Sequence, residues 1–143
     1  MEYKKYGDTY LVRIKRGEEV MEKLTELCRK ENILLASIEG IGAASKVVMG
    51  CFDFDTRHYA KTTYEGCGTL ELSSLVGSVT ELNGEPYLHV HVTFAGEDGI
   101  AHAGHLNETV IAVTAEIIVR CLDGHAKRSF DEETGINLIN LAL

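Results

Sequence analysis

The sequence predicts an α+β fold built on a mainly antiparallel sheet of about seven strands with one long helix. Short runs of alternating apolar residues, separated by turn residues, recur along the chain and are typical of antiparallel strands. One stretch, residues 18–31, instead carries its apolar residues at helical spacing. With 143 residues and 45% apolar content, the chain is expected to form one domain, residues 1–143.

The first half of the chain supplies a strand, the helix and a glycine-rich connection. Residues 9–14 are predicted to form the strand that precedes the helix. Residues 33–38 and 46–54 are predicted strands, and the glycine-rich run 39–45 lies between them. That run is similar to a dinucleotide-binding loop, but Ser45 stands where the third glycine belongs and no helix follows to face a phosphate. The glycines are therefore predicted to make a tight crossover between strands.

A hairpin signal organises the middle of the chain. Residues 59–64 and 69–80 are predicted strands, and Asn83-Gly84 predicts a type I′ turn that leads from the second of them into the strand 87–94. This pairing should place residues 75–80 beside the latter strand. Gly77 marks a bulge or a close approach of the neighbouring backbone.

The last third of the chain is unusually apolar. Residues 109–122 form a predicted strand with apolar residues on both faces, which indicates a central strand or one covered by a partner subunit. Asp123-Gly124 turns the chain into residues 125–130. The tail, residues 136–143, carries too many aliphatic side chains to stay in water.

Four of the six histidines lie within twenty residues of one another. In the strand 87–94, His89 and His91 fall on the polar face, about 6.6 Å apart at Cα from a rise of roughly 3.3 Å per residue. The turn that follows, Gly-Glu-Asp-Gly, reverses the chain and brings His102 and His105 back within reach. The stretch therefore favours a metal site.

A catalytic zinc site has three protein ligands, such as three neutral imidazoles, and an open fourth position. A His-x-His sequence on one strand can supply two of these imidazoles. His105 is the better third ligand because the small residues Ala103 and Gly104 precede it, whereas His102 either ligates or only occupies the turn. Hydrogen-bonded surface histidines are the alternative interpretation. The predicted ion is a divalent transition metal, with zinc favoured. Its predicted ligands are His89, His91 and His105.

Composition restricts the partners and the compartment. The net charge of −8 argues against a basic face that grips nucleic acid. The four cysteines are scattered without a Cys-x-x-Cys pair, which predicts reduced thiols and a cytoplasmic location. No apolar stretch resembles a signal peptide or approaches the roughly 18 residues of a membrane span, so no membrane partner is expected.

Four segments form an ordered set: Gly-Ile-Gly-Ala at 40–43, Leu-Glu-Leu-Ser-Ser-Leu-Val-Gly-Ser-Val at 70–79, Pro-Tyr-Leu-His-Val-His-Val at 86–92 and Ala-Gly-His-Leu at 103–106. In this order they resemble the PPC (plant and prokaryote conserved) domain, which forms the body of plant AT-hook nuclear-localised proteins and occurs alone in prokaryotes. The resemblance covers residues 13 to about 130.

The resemblance implies a homotrimer of α+β subunits and, as in some prokaryotic members, a metal on the histidines that match His89, His91 and His105. It also implies a link to DNA or transcription. Two features depart from the family: Ala103 replaces the first glycine of Gly-Gly-His, and no AT-hook Arg-Gly-Arg core is present. The missing hook and the net charge argue against direct DNA binding.

Two other functions stay open on the sequence alone. One is a metal-binding homotrimer associated with transcription. The other is a His₃ zinc-dependent hydrolase or lyase acting on a small molecule, in which zinc lowers the pKa of bound water to about 7. Glu116 is a candidate general base, or a partner that orients a ligand, if its strand neighbours the site.

Overall fold

The computed structural model describes residues 1–142, which fold into one sheet of eight strands and one helix. The elements are β1 (Glu2–Tyr6), β2 (Thr9–Lys15), α1 (Val20–Lys30), β3 (Ala36–Asp53), β4 (His58–Leu82), β5 (Glu85–Ala95), β6 (Ala101–Cys121), β7 (Lys127–Asp131) and β8 (Ile136–Asn140). The fold is mainly β, so the α+β prediction overstates the helical share. The last residue of the predicted tail, Leu143, lies outside the described residues.

Four of the strands close into a ring. β3 pairs with β4, β4 with β5, β5 with β6 and β6 with β3, all antiparallel. From this ring β2 and β1 extend beyond β6, and β7 and β8 extend beyond β4. The hairpin predicted between β4 and β5 is confirmed, because Asn83 and Gly84 have φ values of 54° and 84°.

The predicted crossover at the glycines is wrong, because β3 runs through them without a turn. The register of β3 against β4 shifts between Gly40 and Gly42, where a β-bulge interrupts the regular pairing but does not end the strand. β6 passes close by, and a Cβ on Gly42 would lie 2.8 Å from the Cβ of Ala115. The glycines therefore permit close packing of two strands and do not end either of them. β4 likewise joins the two strands predicted at 59–64 and 69–80.

The helix α1 packs against the inner face of the ring. It begins after Glu19, whose carboxylate accepts the backbone N–H groups of Met21 and Glu22 and so stabilises the helix N-terminus. Its buried residues are Val20, Leu24, Leu27 and Cys28. They share one core with Val90, Val92 and Phe94 of β5. The cysteines Cys28, Cys51, Cys67 and Cys121 are all free thiols.

The outer face of the sheet carries exposed apolar side chains. Leu11 of β2 lies opposite Ile118 of β6, and Ile118 and Val76 both lie opposite Glu39 of β3. We call Leu11, Ile118 and Val76 the outer apolar row; they are 49%, 38% and 55% exposed. Of the two predictions for β6, a central strand or one covered by a partner, the first is confirmed, since β6 lies between β2 and β3. Its outer face is uncovered in the single chain.

In the part of the chain that the structure describes, no helix is long and apolar enough to cross a membrane. The predicted apolar tail forms β8, which pairs with β7 in a two-stranded hairpin. A single parallel bridge, between Glu81 and Lys127, joins the backbone of this hairpin to β4. The hairpin is therefore held to the sheet largely by side chains, and Arg128 is the most buried of them.

Candidate metal centre

Strand alternation positions two histidines on β5. Val90 and Val92 point into the core, while His89 and His91 point to the opposite face. His89 is partly buried and His91 is exposed. The centroids of their imidazole rings are 5.2 Å apart. The alternation predicted from the sequence is therefore confirmed for this strand.

The closure of the ring brings a third histidine to the same point. β6 pairs with β5 so that His105 lies directly opposite His91. The ring of His105 is 5.1 Å from that of His89 and 5.6 Å from that of His91, between centroids. One ring nitrogen from each histidine lies within 4.8 Å of the other two. The three predicted ligands are thus next to one another, and we call them the histidine triad.

His102 does not join the histidine triad. It precedes His105 by three residues, and an odd spacing on a strand puts two side chains on opposite faces. Its Nδ1 lies 3.1 Å from the hydroxyl of Tyr64, and its ring packs beside Phe94. His102 therefore belongs to a separate polar and aromatic contact on the other side of β6.

The other candidate residues lie away from the histidine triad. Glu116 is on the same strand as His105, but eleven residues further along, roughly 36 Å at 3.3 Å per residue. It lies opposite Arg13 of β2. Glu116 is therefore too far from the histidine triad to act as a general base there or to orient one of its histidines. His58 and His125 are exposed.

The surroundings of His89 and His105 favour the neutral form of these two imidazoles. Burial lowers the pKa of His89, and the positive charge of Arg128 and the neighbouring His91 lower it further. Burial also lowers the pKa of His105, followed by the effects of His89 and His91. A neutral imidazole keeps the lone pair that a metal requires. Three imidazoles on two adjacent, backbone-paired strands fit a divalent transition metal such as zinc.

The histidine triad opens into a cavity of about 520 Å³. Small-molecule sites in proteins commonly occupy about 300–1,000 Å³. Tyr59 and Tyr87 line it, and the ring of Tyr59 stands edge-on to His105 at 6.1 Å between centroids. The β7–β8 hairpin adds Arg128 and aliphatic side chains. Sequence reasoning missed Arg128, because a strand of five residues is too short for alternation to show which side chain is buried.

Two glycines let the strands come close enough for the histidine triad to form. A Cβ on Gly77 would lie 2.2 Å from the carbonyl oxygen of His89, which confirms the close approach predicted there. A Cβ on Gly104 would lie 3.0 Å from the carbonyl oxygen of Gly50. Both neighbours are backbone atoms, so no side-chain movement relieves the contact. The glycines thus determine the spacing of the strands that carry the histidines.

We expect Gly77→Ala to destabilise the protein and weaken metal retention together. The added methyl pushes β5 away from β4 at His89, and overpacking of this kind typically costs about 1–3 kcal/mol. Thermal unfolding and metal content measure the two effects. The matched control is Gly96→Ala, whose Cβ would meet its nearest neighbour, Leu70 Cδ2, at 3.7 Å. Equal stability of the two variants would contradict the close approach.

Fold and site together define a class of protein: a small protein with four strands closed into a ring and a histidine triad that faces an open cavity. The chain belongs to the Plants and Prokaryotes Conserved (PCC) domain family, whose model matches residues 1–123. This is the PPC family that the sequence resembles, so the resemblance is confirmed. The β7–β8 hairpin lies beyond the matched residues. The sequence matches no curated protein.

Several solved structures share the fold. A candidate DNA-binding protein from Bacteroides thetaiotaomicron is 30% identical, with a TM-score of 0.95 over 99% of this chain and 98% of its own. A metal-containing protein from Archaeoglobus fulgidus is 32% identical, with a TM-score of 0.85 over 97% and 96% of the two chains. A PPC protein from Pyrococcus horikoshii is also 32% identical, with a TM-score of 0.84 over 97% and 94%.

Proposed function

We propose that this protein is a metal-binding homotrimer of the PCC family. In each subunit His89, His91 and His105 hold one divalent transition metal ion, with zinc favoured. The observation that carries the proposal is the convergence of three ring nitrogens within 4.8 Å on strands held by backbone pairing. Similarity to a metal-containing archaeal protein supports it. Elemental analysis of the purified protein and of its histidine variants tests it.

The trimer is proposed from the outer apolar row and from the family. Exposed aliphatic side chains on the face of a central strand favour burial against another subunit. Val76, at one end of the row, lies opposite His91, so a subunit packed there would adjoin the histidine triad.

We propose that residues 1–143 form one domain. We also propose a cytoplasmic location, because the four free cysteines favour a reducing compartment.

The cavity favours a second candidate function, zinc-dependent hydrolase or lyase chemistry on a small molecule. A bound zinc would supply a Lewis acid at the histidine triad. Within the described residues no Asp or Glu lines the cavity, so proton transfer would fall to a tyrosine or to the substrate itself. Tyr59 is held in place, because its hydroxyl donates a hydrogen bond to Oδ1 of Asn107 at 3.0 Å.

We expect bare duplex DNA to bind weakly and without sequence preference, although two of the similar solved structures are candidate DNA-binding proteins. Phosphate contacts supply most non-specific affinity, and the chain has a net charge of −8. Six of its basic side chains also face carboxylates in ion pairs: Arg13, Lys15, Lys23, Arg29, Lys46 and Lys127. Fluorescence anisotropy with labelled duplexes at two salt concentrations measures the affinity.

Unlabelled random-sequence duplex is the control for selectivity in this measurement. A complex that forms at submicromolar protein, resists the random competitor and weakens steeply with salt would contradict the prediction and favour a direct role on DNA.

A further inference from the structure

We propose that Arg128 makes the cavity a binding site for a small organic carboxylate, which its guanidinium holds beside the metal of the histidine triad. The inference deepens the proposed metal site and rests on it. It assigns a ligand class to the cavity, a monoanion with an apolar remainder. It also gives a role to Arg128, which lies beyond the residues 1–123 that the family model matches.

Arg128 is buried and oriented, yet among residues 1–142 its charge has no partner of opposite sign. It is 9% exposed. Its Nε donates to Oγ1 of Thr80 at 2.8 Å, and its Nη1 donates to the carbonyl oxygen of Asn137 at 2.7 Å. Its guanidinium carbon lies 4.7 Å from the ring centroid of Tyr87. All three partners are neutral, and no carboxylate of residues 1–142 forms an ion pair with it.

A purely structural role leaves this charge unexplained. The bonds to Thr80 and Asn137 tie the β7–β8 hairpin to β4, and they use Nε and Nη1 only. Among the described residues Nη2 donates no hydrogen bond, and the side chain lines the cavity. Buried charges in proteins are normally paired, because an isolated one is costly. An anion in the cavity would complete the pairing.

The cavity has the charge and the walls that such an anion requires. The chain has 22 acidic residues, but none of the described residues that line the cavity is one of them. Arg128 lines the same cavity as His89, His91 and His105, so its positive charge faces the space next to the histidine triad. A bound divalent metal would add to the same positive potential. Phe52, Ile136 and Leu138 form apolar walls that suit an organic remainder. A planar carboxylate also matches the fork of a guanidinium.

The test uses the full chain loaded with Co²⁺, whose visible spectrum reports its ligands, and benzoate as the probe. We expect a saturable spectral change in the wild-type protein. In Arg128→Gln the Co²⁺ content should stay the same, while the benzoate affinity falls by about 10-fold or more, the loss expected for a charge-assisted hydrogen bond. Arg128→Lys should lie between the two, because it keeps the charge without the fork.

Lys127→Gln is the matched control, since it removes the same charge from the neighbouring exposed residue and should leave benzoate binding unchanged. Absence of metal from the wild-type protein would reject the metal site itself. Full metal content without benzoate binding, or equal affinity in wild type and Arg128→Gln, would overturn the carboxylate site alone. Binding of inorganic phosphate in preference to benzoate would overturn it as well. Where Arg128→Gln does not fold, wild-type benzoate affinity in Arg128→Lys would likewise overturn the carboxylate site.

Discussion

Replacing both His89 and His91 with alanine is expected to remove the metal ion from the purified protein. The two residues supply two of the three nitrogens that converge within 4.8 Å, and His105 alone cannot hold a divalent ion against a chelator. We expect about one ion per subunit in the wild-type protein and almost none in the double variant. His89→Ala alone should weaken affinity by more than about 100-fold, which is the upper end of the effect of losing an outer-sphere partner.

The measurement is elemental analysis after dialysis against a weak chelator, on samples checked for folding by circular dichroism. Two histidines outside the triad serve as controls. His125→Ala removes an exposed imidazole, and His102→Ala removes one that contacts Tyr64. Both variants should keep the full metal content. Metal retained by the double variant would show that the site lies elsewhere.

The second large effect concerns assembly. Light scattering coupled to gel filtration should give three times the subunit mass for the wild-type protein, and the subunit mass for a variant with both Leu11→Glu and Ile118→Glu. The two residues face each other in the outer apolar row. Two further carboxylates would join Glu39 on this face, and burying each of them against another chain costs several kcal/mol. Packing of this face around a three-fold axis closes the assembly without a free complementary surface.

The control for this experiment is Tyr6→Glu, which adds the same charge at an exposed aromatic residue of β1, outside the outer apolar row. It should keep the wild-type mass. A wild-type monomer at micromolar concentration would contradict the assembly. A dimer would keep the burial argument but contradict the number three, which comes from the family.

The sequence by itself determined the local elements and the pairing of one hairpin. Helical spacing located α1 within the predicted residues 18–31, and Asn83-Gly84 fixed the register of β4 and β5. Period-two alternation put His89 and His91 on the same face. These signals succeed because each depends only on backbone geometry within a few residues. β1 was not predicted, since its charged side chains show no apolar alternation.

Only the tertiary structure decided how the site is assembled. The sequence predicted that the chain returns after β5 and favoured His105, but only the pairing of β6 with β5 shows that His105 lies directly opposite His91 while His102 faces the other way. The tertiary structure also showed that the glycines of β3 lie inside a strand, because their role is set by how closely β6 approaches. Arg128 lines the cavity because its side chain donates a hydrogen bond to Thr80 of β4. Contacts between residues distant in sequence leave no periodic signal in one chain, so the cavity and its unpaired charge become visible only after folding.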